Sequence, residues 1–199
     1  MVTNGRVDMG EGHELRRGRH LEMMTLTWNV VGVVVLAYAA ISAKSVALAG
    51  FGLDSVIEIG ASTVVLWELA DVAQSRRRRA MRMIGSAFVA LSIYLAVQST
   101  VVLAVGFRSH HSPIGIVWTA VTAFTMFALA TGKARVGAAL NNPVITAEGR
   151  VTMIDGILAT AVLVGLALNS FVGWWWADPV TGYVILYYSL REAKEAFTH

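Results

Sequence analysis

Asp54 and Glu58 stand four residues apart in GFGLDSVIEIGAS (50–62), a stretch that is otherwise almost entirely apolar. A third acid, Asp155, interrupts a comparable apolar run later in the chain. An ionised carboxylate near a bilayer centre costs about 2.5–3.5 kcal/mol on insertion scales, so three cost on the order of 8–10 kcal/mol if additive. That is comparable with the whole net stability of many domains. A cation, protons or water must offset it. On a helix, positions i and i+4 share a face with Cβ atoms roughly 6 Å apart. Asp54 and Glu58 then repel when both are ionised, which raises the affinity for a proton or a divalent cation.

No Lys or Arg in the fifth apolar block lies deep enough to neutralise these acids, and Arg150 reads as a partner for Glu148 or for lipid phosphate. The deep acids therefore lack an evident positive partner, which favours a bound cation over a structural salt bridge. The two acid-bearing stretches also share a frame. Gly50-Phe51-x-x-Asp54-x-x-x-Glu58 and Ala147-Glu148-x-x-Val151-x-x-x-Asp155 each end on a carboxylate eight positions after a small residue. Acids at matched depth on two spans can converge on one midplane site.

The elements that position these residues follow from composition. The 199 residues are 56% hydrophobic and 15% charged, with a mean hydropathy of +0.61; soluble domains carry about 25% charged residues. There is no cysteine, hence no disulfide framework and no thiolate metal site. Six apolar blocks approach the roughly 20 residues that a spanning helix needs. They are Thr25–Ala43, Ser45–Leu69, Met83–Phe107, Ile114–Thr131, Ala147–Val172 and Trp174–Leu190. Backbone polar groups in lipid must be satisfied within the segment, so the blocks read as helices, and strand alternation is absent.

Basic residues set the orientation. Arg6, Arg16, Arg17 and Arg19 precede the first block; Arg76–Arg79 and Arg82 precede the third; Lys133 and Arg135 follow the fourth; Arg191 and Lys194 follow the sixth. The opposite connections offer only Lys44 and Arg108, and the turn NSFVG (169–173) offers none. The expected fold is an all-α membrane protein with six transmembrane helices and both termini cytoplasmic. Residues 1–24 read as a cytoplasmic tail or short surface helix, 25–190 as the six-helix domain, and 191–199 as a short C-terminal tail.

Three segments resemble the cation diffusion facilitator family. SVALAGFGLDSVIEIGAS (45–62) resembles its second helix, AEGRVTMIDG (147–156) its fifth, and WADPVTGYVILYYSLREA (176–193) its sixth. The resemblance implies a membrane transporter, not an enzyme, that exchanges cytoplasmic divalent metal, most often Zn²⁺, for protons, as a homodimer and without a further cofactor. It makes Asp54, Glu58 and Asp155 the metal ligands. Val151 stands where the family carries a histidine, and the chain resembles a short form with the transmembrane domain only. Three carboxylates must then be completed by water, Ser55, Thr152 or Asn29. Such an oxygen set suits Mg²⁺, Mn²⁺ or Fe²⁺, although intrinsic affinity still favours Zn²⁺ over Mn²⁺. Two other readings are a non-transporting metal-binding or regulatory partner that keeps the fold, and a small-organic-cation/proton antiporter.

Other polar residues read more plainly. Glu68 and Asp71 close the second span, Glu148 complements a helix N-terminus, and Asp178 before Pro179 caps a helix start. His13, His20, His110 and His111 read as solvated. The arginine run faces anionic lipid rather than nucleic acid. Trp174–Trp176 form an interfacial belt, while Gly156 and Gly165 mark helix contacts.

Overall fold

The computed structural model describes residues 4–69, 74–141 and 143–198. Six helices follow one another: α1 (Asn4–Ala43), α2 (Val46–Leu69), α3 (Gln74–Val105), α4 (Pro113–Ala139), α5 (Pro143–Ala167) and α6 (Ala177–Thr198). No strand occurs among the described residues. Asp71 lies outside the described residues, and the side chains of Glu68 and Arg76–Arg79 lie outside them too.

The helices run past the apolar blocks. Residues 4–24, expected as a tail or surface helix, continue α1 without a break, and residues 191–198 continue α6. The reason is visible in α1. Its buried residues Gly18, Glu22, Thr25, Asn29, Gly32, Leu36, Ala39 and Ala43 alternate at spacings of four and three, which is one helix face. The stripe does not stop where the hydrophobic block starts. In α4, Gly115, Thr119, Thr122, Met126, Leu129, Lys133 and Val136 hold the same phase.

Loop chemistry sets the ends. Ser112 caps α4, its Oγ accepting from the Gly115 amide at 3.1 Å, with Pro113 as the first helical residue. The expected turn NSFVG is instead largely a short π-helical segment, Leu168–Val172, that prolongs α5 and closes on Gly173 with φ 75°. Within it, buried Asn169 donates to the Ser109 carbonyl and to Ser109 Oγ, each at 3.2 Å. The His110 amide donates to the Ala43 carbonyl at 2.8 Å. Asp178, in the first turn of α6, caps a neighbour: its carboxylate accepts from Ser45 Oγ and from the Val46 amide at the start of α2. The α1–α2, α3–α4 and α5–α6 connections are thereby tied together at one end of the bundle. The start of α1 and the end of α6 belong to the other end.

The most extensive packing joins α4 to α5 and α3 to α6, followed by α1 to α2; α2 and α5 meet more sparingly. Small residues bring the pairs close. A Cβ on Gly156 would lie 2.8 Å from the Phe127 ring, and Gly165 packs against Thr181, as expected for helix-contact glycines. The stretches His13–Ala43, Arg82–Val105, Pro113–Ala139 and Glu148–Val172 are long and apolar enough to cross a membrane.

Candidate metal centre

Asp54 and Glu58 occupy the buried face of α2, each 4% exposed, and Asp155 the buried face of α5, 6% exposed. The local reason is phase. On α2, Phe51, Asp54, Ser55, Glu58 and Ser62 share the inward stripe; on α5, Glu148, Thr152, Asp155 and Ala159 do. Glu58 lies within electrostatic reach of Asp155, Asp54, Glu148 and Glu192. Asp155 lies within reach of Asp54, Glu148, Lys133 and Glu192. Asp155 Oδ2 is buried with no hydrogen-bond partner among the described residues. The acids of two helices thus face each other, yet among the described residues no three His, Asp or Glu side chains gather tightly enough to hold one metal ion in this conformation.

Of the oxygen donors expected to complete the site, Ser55 donates to the Phe51 carbonyl at 3.1 Å. Thr152 is engaged twice: it donates to the Glu148 carbonyl at 2.9 Å and accepts from Lys133 Nζ at 3.1 Å. Asn29 is buried on α1, and its Nδ2 has no partner among the described residues. Val151 is half-buried on α5.

Lys133 corrects three expectations. It is not a loop cation that marks an aqueous face. It lies inside α4 and is 1% exposed, so only the exposed Arg135 remains as a topology marker there. Its ammonium contacts Glu22 at 2.8 Å and Glu148 at 3.5 Å. Glu148 therefore pairs with Lys133 rather than with Arg150, and it lies beyond the first turn of α5, which holds no acid. The deep acids do have a cation nearby, contributed by a different helix.

Glu192 is a second omission of the sequence reading. It follows the buried stripe Ile185, Ser189 and Ala193 on α6, and its Oε1 is buried without a partner among the described residues. Burial pushes its carboxyl up to about 6, Glu195 adds to the rise, and Arg191 opposes it. Its inward phase on α6 was the available signal.

His110 and His111 are exposed, and Trp174 stacks on Trp176 with ring centroids 5.0 Å apart. Buried acids inside apolar helices, on a frame that repeatedly crosses the bilayer, define a multi-pass membrane protein built around ionisable groups. The family model for the cation efflux transmembrane domain matches residues 79–198, more than half of the chain. The chain belongs to the cation efflux family, whose members are membrane transporters of metal cations rather than enzymes. No curated protein matches it. The matched region takes in Asp155, Lys133 and Glu192, whereas Asp54 and Glu58 precede it.

Proposed function

We propose that the protein is a six-span exporter in the cell membrane, with cytoplasmic termini. It carries a divalent metal, Zn²⁺ first and Mn²⁺, Fe²⁺ or Co²⁺ after it, out of the cytoplasm in exchange for protons. Asp54, Glu58 and Asp155 are its ligands, and the working unit is a homodimer. One observation carries the reading: three carboxylates, each at most 6% exposed, face one another from α2 and α5 of a cation efflux protein. Intramembrane acids of this kind are functional by default.

Charge balance supplies the mechanism. Three carboxylates plus one M²⁺ carry a net charge of −1. Two protons in place of the metal leave the same charge, so exchanging one metal for about two protons keeps the local field constant while access alternates. Metal binding draws α2 and α5 together, since their carboxylates belong to one site only when the helices close on the ion. Proteoliposomes with an imposed pH gradient test this. Zn²⁺, Mn²⁺, Fe²⁺, Co²⁺ and Cd²⁺ are offered in turn, and metal movement is expected to follow the reversal of the gradient. Flux indifferent to the gradient removes proton exchange. Fluxes that all match empty vesicles leave the metal-binding partner that keeps the fold.

A further inference from the structure

Glu22, Lys133 and Glu148 form a closed contact outside the ligand set, on α1, α4 and α5. The two carboxylates hold one ammonium, and Glu22 Oε1 is buried with no partner among the described residues. One cation against two buried acids is more negative charge than packing alone requires, and isolated buried charge is costly.

The packing shows where this contact sits. α4 and α5 approach backbone to side chain: a Cβ on Gly137 would lie 2.8 Å from the Thr146 amide nitrogen, and one on Gly149 would lie 3.2 Å from that of Ala134. They form one tight body, and α1 packs chiefly on α2. Between these two bodies runs a seam where α1 meets α4 through side chains such as Leu21 against Gly132. The three proposed ligands are divided by the same seam, with Asp54 and Glu58 on α2 and Asp155 on α5. Lys133–Glu22 crosses it; Lys133–Glu148 stays within one body.

We propose that Lys133 is the bolt of a gate at the terminus-bearing end of the bundle: on Glu22 it holds the seam shut, and on Glu148 alone it lets the seam part. Resting on the assignment of Asp155 to the cation path, this gives each carboxylate a separate task. Glu22 closes the gate. Glu148 keeps the ammonium paired while Glu22 swings away, so the open state contains no orphaned buried cation. Glu148, Thr152 and Asp155 follow one another on one face of α5 at spacings of four and three, which places the bolt between Asp155 and that end. Such an element has two discrete arrangements, as a switch requires.

The chain has no cysteine, so introduced thiols report without background. A Val151→Cys reporter is exposed to a membrane-impermeant thiol reagent from the terminus-bearing side of proteoliposomes. Glu22→Gln is expected to speed its labelling about ten-fold, since the closed state loses its ion pair. Glu148→Gln is expected to leave labelling unchanged or slower, because the seam-crossing pair survives. A purely structural staple predicts the same change for both substitutions, and that result, or no change for either, overturns the gate. A second readout covers a Glu22→Gln protein that folds poorly. Oxidative cross-linking in a Leu21→Cys, Gly132→Cys protein spans the seam, and Glu148→Gln is expected to preserve its yield while Lys133→Gln lowers it; equal yields overturn the gate as well. Neither readout measures transport. Missing metal flux with the expected labelling removes the transporter reading alone, and normal flux with equal labelling removes the gate alone.

Discussion

Two groups of buried acids occupy neighbouring levels of this bundle and differ in one respect. Glu22 and Glu148 share the Lys133 ammonium, at 2.8 and 3.5 Å. Asp54, Glu58 and Asp155 are equally buried but make no ion pair among the described residues, where Asp155 Oδ2 lacks even a hydrogen bond. The first group is ion-paired to its cation; the second has that cation within electrostatic reach of Asp155 but makes no ion pair with it. A site of the proposed kind has to bind and release its cation, so a tethered cation there would compete with the cargo, whereas at the neighbouring level it can fasten the helices.

Stability sharpens the contrast most. Lys133→Met strips the first group of its cation and is expected to cost about 3–5 kcal/mol, the usual penalty for orphaning a buried charge. Adding Glu22→Gln and Glu148→Gln to that variant is expected to recover most of the loss in thermal or denaturant unfolding. Asp54→Asn does the opposite in metal-free protein: removing an unpaired acid leaves stability unchanged or raises it by about 1–3 kcal/mol. If both groups lose stability alike, the division between them collapses.

Metal is expected to act on one group only. At about one hundred times its dissociation constant, Zn²⁺ adds about 2.7 kcal/mol to the unfolding free energy of the wild type, and nothing to Asp155→Asn. Val151→His places an imidazole on α5 near the acids and is expected to tighten Zn²⁺ about ten-fold over Mn²⁺. Titration calorimetry in detergent measures that ratio; an unchanged ratio places position 151 away from the metal.

The smallest effect concerns pH. Glu192 binds its proton more tightly folded than unfolded, with its carboxyl raised from 4.5 to about 6. The folded state then binds more protons in that window, so stability falls as pH rises from about 4.5 to about 6. Glu192→Gln is expected to flatten this part of the profile of unfolding midpoint against pH. A profile identical to wild type would place Glu192 in solvent.

The helical architecture and the acid pair were legible because apolar length and i, i+4 spacing are strong local signals. Lys133 and Glu22 were missed for one reason: hydropathy ends a segment at the first charges, here after Thr131 and before Thr25. The helices continue instead, and the inward stripe continues with them. Lys133 falls four residues after Leu129, and Glu22 three before Thr25. Phase was the better guide to burial, and it also reaches Glu192. What phase cannot supply is the partner across helices. Pairing Glu148 with Lys133, or Asp178 with the start of α2, depends on which helices pack, and that is a tertiary fact.

Zn²⁺ uptake into proteoliposomes by the wild type and by Asp155→Asn, at matched protein incorporation, bears on the central claim most directly. Wild-type uptake is expected well above that of empty vesicles, and Asp155→Asn uptake at the level of empty vesicles. Equal uptake by the two proteins would contradict that claim.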